Sequence, residues 1–298
     1  MDAAKTAVAI GNFDGVHKGH QTLLDVLKTQ TDAMGLIPVV YTFLKHPANV
    51  LKADGTVKYI IDKEEKTKLL HQFGIQTVHD TDFEEVKDLS PADFVKEILV
   101  DKLHASLVVV GENHRFGKDA AGDAKTLFNL GKQHGFSVCV VPPYVENGVV
   151  CSSSFIREQI EQGNMEEATR LLGRFYRIKN KVIGGKQLGR TYGFPTANML
   201  IPSGRVTPAY GVYATTAYVD GKAYPAITNV GFTSFDKEKL ERIETHIIGF
   251  EGDIYQEELA IDFLGRMRDF VPCQSVEELV KQLLSDKEMR MKMMEEKI

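Results

Sequence analysis

The chain is poor in cysteine and lacks long runs of any one character. Among 298 residues there are three cysteines, Cys139, Cys151 and Cys273, none in a Cys-x-x-Cys pair and each in or beside an apolar run. That argues against a disulfide framework or a zinc site, and a reducing cytoplasm is the expected compartment. No apolar run approaches the ~20 residues of a membrane-spanning helix. Met1-Asp2-Ala3-Ala4-Lys5 leads straight into a strand pattern, without the apolar stretch of a signal peptide. There is no basic block and the net charge is −5, so neither nucleic acid nor an anionic membrane is an expected partner. Internal repeats and low-complexity linkers are missing too. The length suggests two domains, and nothing excludes a homo-oligomer.

What is present is a glycine-rich segment, Gly11-Asn12-Phe13-Asp14-Gly15-Val16-His17-Lys18-Gly19-His20. It follows the apolar run Ala7-Val8-Ala9-Ile10 and precedes an amphipathic run beginning Gln21-Thr22-Leu23-Leu24. Strand, tight turn and helix start in that order present backbone N–H groups and the positive end of a helix dipole to an anion. His17 and His20 add donors suited to a phosphate chain, so a nucleotide triphosphate site is expected.

The first half alternates short β-rich runs with helical patterns. Predicted strands are Ala7–Ile10, Pro38–Phe43, Leu107–Gly111 and Ser137–Pro142; predicted helices are Gln21–Met34, Lys63–Phe73, Pro91–Leu103 and Lys125–His134. This rhythm argues for a parallel sheet with helices on both faces, and ligands gather at the carboxyl ends of such strands. Gly11–His20 and Gly111–Gly117 both follow strands at that end. A helical pattern over Glu158–Leu172 stops at Gly173, and the character then changes to short strands with turns, as in a small β-barrel: Arg177–Ile183, Val212–Val219, Tyr224–Thr228, Ile243–Phe250 and Glu258–Phe263. Ser275–Ile298 reads as a charged terminal helix. His46 before Pro47 reads equally as a helix cap or a ligand. His71, His79, His104 and His134 read as ordinary surface or helix-end residues, and Asp82, Glu84, Glu85 and Asp88 as a solvated loop.

Several motifs occur together and in order. They are Gly11–His20, Thr42-Phe43 with His46-Pro47, Val110-Gly111-Glu112-Asn113-His114-Arg115-Phe116-Gly117, and Ser152-Ser153-Ser154-Phe155-Ile156-Arg157. Farther on come Gly189-Arg190-Thr191-Tyr192-Gly193-Phe194-Pro195-Thr196-Ala197-Asn198, Gly211-Val212-Tyr213-Ala214 and Asn229-Val230-Gly231. With these motifs the chain resembles, over nearly its whole length, the prokaryotic bifunctional riboflavin kinase/FAD synthetase family. The resemblance implies an α/β Rossmann-like nucleotidyltransferase domain over residues 1–174. A small riboflavin-kinase-like β-barrel with a C-terminal helix is implied over residues 175–298.

It further implies Mg²⁺-dependent transfer of AMP from ATP to FMN, giving FAD and pyrophosphate. His17 and His20 would stabilise charge at the α-phosphate. Gly11, Asn12, Phe13, Asp14, Gly15 and Gly19 would form the ATP loop, with Asp14 a candidate for placing Mg²⁺. Ser152, Ser153 and Arg157 would hold the β- and γ-phosphates, and Asn113, Arg115 and Phe116 would meet the flavin. In the second module the implied reaction is riboflavin kinase. Thr196 and Asn198 correspond to the Mg²⁺ and phosphate pair, and Glu244 to the carboxylate that accepts the hydroxyl proton.

The second module also departs from the family's pattern. The glycine-rich flap reads Gly184-Gly185-Lys186-Gln187-Leu188, without the usual histidine. Thr233-Ser234-Phe235 lacks a proline. Asn180 and Gln256 stand where glycines are usual, and Phe270 where a glutamate is common. Alternative readings therefore stay open: a monofunctional FAD synthetase with a non-catalytic flavin-binding barrel, a nucleotidyltransferase with another acceptor, or a non-catalytic flavin sensor.

Overall fold

The computed structural model describes residues 4–51, 57–184, 193–232 and 241–295. By its contacts the chain divides into two compact units, Met1–Ser153 and Ser154–Ile298. The helices over Ser153–Gln162 and Met165–Leu172, which the sequence reading groups with the first domain, thus count mainly with the second unit.

The first unit is built on a five-stranded sheet of β1 (Thr6–Ile10), β2 (Ile37–Phe43), β3 (Thr77–Thr81), β4 (Ala105–Gly111) and β5 (Ser137–Val141). The order is β3-β2-β1-β4-β5 and every pairing is parallel. Strands covered on both faces must be apolar on both, and Ala7, Val8 and Ala9 of β1 are wholly buried. The covering helices are α1 (Lys18–Met34), α2 (Pro47–Leu51), α3 (Lys63–Gln72), α4 (Pro91–Asp93, continued in π geometry over Phe94–Lys102) and α5 (Ala124–His134). On α1, Leu23, Leu24, Leu27 and Thr31 form the buried face. The strand β3 escaped prediction because Thr77-Val78-His79-Asp80-Thr81 is an edge strand with one aliphatic residue. Strand order reverses between β1 and β4, so the loops after these neighbours flank the crevice where doubly wound sheets bind ligands. A short hairpin, β6 (Val145–Glu146) and β7 (Val149–Val150), completes this unit.

The second unit starts with α6 (Ser153–Gln162) and α7 (Met165–Leu172), followed by six strands. These are β8 (Tyr176–Lys181), β9 (Ala197–Leu200), β10 (Gly211–Val219), β11 (Lys222–Gly231), β12 (Arg242–Ile247) and β13 (Glu258–Asp269), in the antiparallel order β8-β13-β10-β11-β12-β9. The two edge strands nearly close the barrel. Ile183 N–H donates to the Asn198 carbonyl at 2.8 Å, and Asn180 Nδ2 donates to the Leu200 carbonyl at 2.9 Å. Asn180 thus uses its side chain at the seam, which a glycine could not. Inside, Thr215, Thr228 and Thr245 are joined hydroxyl to hydroxyl at 2.8 and 2.9 Å. Gln256 adopts φ 68°, so its backbone holds the left-handed conformation a glycine takes without strain.

The terminal helix α8 (Val276–Glu295) docks on the barrel through buried charges. Asp286 accepts a bidentate pair from Arg268 at 2.9 and 2.8 Å. Arg290 donates to the Thr215 carbonyl, which lies where the β10–β13 register shifts. Asp286→Asn leaves Arg268 without its counter-charge, and the second unit is expected to lose about 3 kcal/mol in chemical denaturation; an unchanged midpoint would remove the anchoring role from this pair.

Candidate active sites

The glycine-rich loop over Gly11–His20 owes its shape to strain and close contacts. Gly15 has φ 82°, but Phe13 and the β-branched Val16 also have positive φ, at 51° and 38°. Such conformations persist only where the surroundings over-determine them, and here they do. Phe13 is completely buried. The Gly11 N–H donates to the Tyr41 carbonyl at 3.2 Å, and the Asn12 carbonyl accepts from Thr42 Oγ1 at 3.0 Å. Asp14 is buried and its Oδ1 accepts from the Ile60 N–H at 2.9 Å. Its carbonyl accepts from Ser153 Oγ at 2.9 Å. The carboxylate suggested for placing a metal therefore also pins the chain ahead of α3 against the loop.

His17 is the N-cap of α1. Its Nδ1 accepts from the His20 N–H at 3.4 Å and lies 3.5 Å from Cys151 Sγ. Since Nδ1 accepts, the neutral ring carries its proton on Nε2 and presents it as a donor. The His17 and His20 rings stack at 3.7 Å between centroids, 20° apart. Gly19 is needed between them, because a Cβ there would meet His17 Cε1 at 3.1 Å and the Cys151 carbonyl at 3.3 Å. Burial first, then the positive fields of His17 and Lys66, hold His20 well below the ordinary imidazole range. Its Nδ1 is buried with no hydrogen-bond partner among the described residues. The arrangement thus sets a neutral His20 and the His17 ring at the start of a helix, which suits a polyanion.

Sequence motifs missed Lys66, a buried lysine on α3 that reaches Thr42 Oγ1 at 3.2 Å. Its only outward signal is a lysine on the apolar face of a predicted helix. On the other side of the crevice, Asn113 and Arg115 are exposed in the loop after β4, whereas Phe116 is buried against Phe94. Phe116 anchors this loop. His114 stacks on Phe116 with 9° between the rings, and burial lowers its pKa to about 4. Being neutral when folded and ordinary when unfolded, His114 costs nothing above pH ~6.5 and destabilises progressively as pH falls toward its folded value. His114→Phe keeps the stack and is expected to flatten the acid side of the unfolding curve for the first unit, by up to roughly 3 kcal/mol at the acid end; an unaltered acid limb contradicts this.

Ser152 and Ser153 lie at the start of α6 and Arg157 just past its first turn, half-buried. His46 proves to be a cap: its Nδ1 accepts from the Ala48 N–H at 3.2 Å, at the start of α2. The stretch Asp82–Asp88 holds a short 3₁₀ turn, Phe83–Glu85, capped by Asp82.

In the second unit the registers align Asn229 with Glu244 and Glu244 with Asn198. Three polar side chains on adjacent strands thus share one face, opposite the face of Val230, Ile243 and Met199. Asn198 is buried, and its Oδ1 has no hydrogen-bond partner among the described residues; Thr196 is exposed two residues earlier. His246, unassigned in the sequence, donates from Nδ1 to the Pro195 carbonyl at 2.9 Å and so fixes the approach to Thr196. The flap residues 185–192 and the Thr233-Ser234-Phe235 segment lie outside the described residues. Among those described, no group of three or more His, Cys, Asp or Glu could hold a metal ion, and no helix is long and apolar enough to cross a membrane.

Two family models match in series, FAD synthetase over residues 1–155 and riboflavin kinase over residues 172–294. The bifunctional riboflavin kinase/FMN adenylyltransferase of Bacillus subtilis is 34% identical over 96% of this chain and 92% of its own. The Escherichia coli protein of the same description is 31% identical over 94% of this chain and 90% of its own. A crystal structure from Streptococcus pneumoniae described as a macrolide-efflux protein superposes with a TM-score of 0.87 at 31% identity, covering 97% of this chain and 95% of that one. The similarity spans both units and nearly the full length of the relatives, and the chain belongs to the bifunctional riboflavin kinase/FMN adenylyltransferase family.

Proposed function

We propose that the first unit transfers AMP from ATP to FMN and that the second transfers the γ-phosphate of ATP to riboflavin. The observation that carries the first assignment is the stacked His17–His20 pair at the start of α1, beside the strand-order reversal. An FMN phosphate oxygen attacks the α-phosphorus, the bond from that phosphorus to the β-bridging oxygen breaks, and pyrophosphate leaves. Attacker and target are both anions, so the task is positioning and charge neutralisation. His17, through Nε2–H, and His20 donate to α-phosphate oxygens, with the loop from Gly11 to Gly19 holding the backbone close. Ser152, Ser153 and Arg157 retain the β- and γ-phosphates until they depart. Asn113 and Arg115 receive the flavin phosphate, with Phe116 holding their loop.

In the barrel, Glu244 accepts the proton of the ribityl hydroxyl as its oxygen attacks the γ-phosphorus and ADP leaves. Mg²⁺ fits the residues present: the Asn198 Oδ1 is a buried oxygen with no donor, and Thr196 brings a hydroxyl, the ligand type a hard dication takes. When bound, Mg²⁺ neutralises triphosphate charge. Three cysteines, none in a Cys-x-x-Cys pair, support a reducing, cytoplasmic setting.

The test is chromatography of flavin-free protein with ATP and Mg²⁺, once with FMN and once with riboflavin. FAD from FMN, and both FMN and FAD from riboflavin, is the expected result. FAD from FMN alone would leave a barrel without kinase activity, and no product from either flavin would remove the enzyme reading.

A further inference from the structure

Lys66 is only 7% exposed, rare for a lysine. Its ammonium donates to Thr42 Oγ1 at 3.2 Å and to the Phe43 carbonyl at 3.1 Å, and Asp80 Oδ1 on β3 lies 3.7 Å away. Of the three N–H donors of an ammonium, two are hydrogen-bonded within the protein and the charge faces Asp80 as an ion pair, so Lys66 acts through its neighbours. The Thr42 hydroxyl accepts from Lys66 and donates its own O–H to the Asn12 carbonyl at 3.0 Å. Thus Lys66 orients the hydroxyl that holds one side of the phosphate loop, while Ile60, from the segment leading into α3, holds Asp14.

We infer that Lys66 is a positioning residue for adenylyl transfer, which holds the glycine-rich loop through Thr42 and Asn12. The inference rests on the adenylyltransferase reading proposed above. The groups around His20 are the Phe13 ring, His17 at the start of α1 and the field of Lys66 from α3. Lys66 is itself faced by Asp80 on β3, Asp14 in the loop and Lys63 on its own helix. Burial lowers the Lys66 pKa, and Asp80 and Asp14 oppose that. The Lys66 charge disfavours an imidazolium at position 20. Removing it also takes one of its two lysine partners from Asp80, Lys63 Nζ remaining at 3.3 Å, and a positive field from Asp14, and both changes favour protonating His20.

Three variants separate the roles. Lys66→Met removes the charge and the relay at nearly constant volume. The kcat for FAD formation is expected to fall about ten- to a hundredfold, as small misplacements of reacting groups do, while riboflavin phosphorylation is unchanged. The His20 titration midpoint, followed by NMR of its ring carbon, is expected to rise. Lys66→Arg should return the midpoint toward the wild-type position. Thr42→Val should lower kcat and leave the midpoint where it is. Wild-type kcat in Lys66→Met, or a His20 midpoint that does not move, overturns the inference. Wild-type protein that forms no FAD from FMN instead overturns the adenylyltransferase reading itself.

Discussion

His20→Ala is expected to slow FAD formation from FMN about a hundred- to a thousandfold, the usual cost of deleting one preorganised donor to a developing charge. Riboflavin phosphorylation in the same protein should not change, since that chemistry belongs to the other unit. The effect is large because His20 is buried and already desolvated before substrate arrives, so its contact with phosphate carries little reorganisation. His17 is the instructive comparison. Its Nδ1 caps α1, so His17→Ala loses about 1 kcal/mol of cap in addition to the rate. His17→Asn restores a capping side chain and should recover stability without recovering rate. A His20→Ala protein that retains wild-type turnover would show that the stacked pair is architecture and not catalysis.

Glu244→Gln is expected to remove FMN formation, by about a hundred- to ten-thousandfold for loss of a general base, and to leave FAD formation from supplied FMN intact. Glutamine keeps the shape and the place in the row between Asn229 and Asn198, so a loss of rate reports the carboxylate and not the packing. Measured product by product, the two substitutions at His20 and Glu244 should give opposite patterns. Undiminished FMN formation in Glu244→Gln would take the proton-accepting role away from Glu244.

Much of this organisation is legible before any coordinates. Four of the five strands of the parallel sheet announce themselves as apolar runs, because strands covered on both faces have few other options. The glycine-histidine loop, the second glycine loop and the cross-over between them follow from the same rhythm. What is not legible has physical causes. The edge strand Thr77–Thr81 is polar at four of its five positions, and β9 is a four-residue strand beside Pro195. The π geometry over Phe94–Lys102 follows from no local signal. Candidate site residues are legible where they sit in a motif, as His17, His20, Asn198 and Glu244 do. Lys66 and His246 are not, since their partners, Thr42, Asp80 and Pro195, are distant in sequence and meet only in the fold. Asp14 looks like a metal-placing carboxylate in sequence and shows its backbone-anchoring use only when Ile60 comes into reach.

If this chain moves the AMP portion of ATP onto a flavin phosphate, the α-phosphorus travels with it. Flavin-free protein incubated with FMN, Mg²⁺ and ATP labelled at the α-phosphorus tests it most directly. Label is expected in FAD, accumulating in step with released pyrophosphate. Label that stays in the adenine nucleotide pool while FMN is unchanged would contradict it.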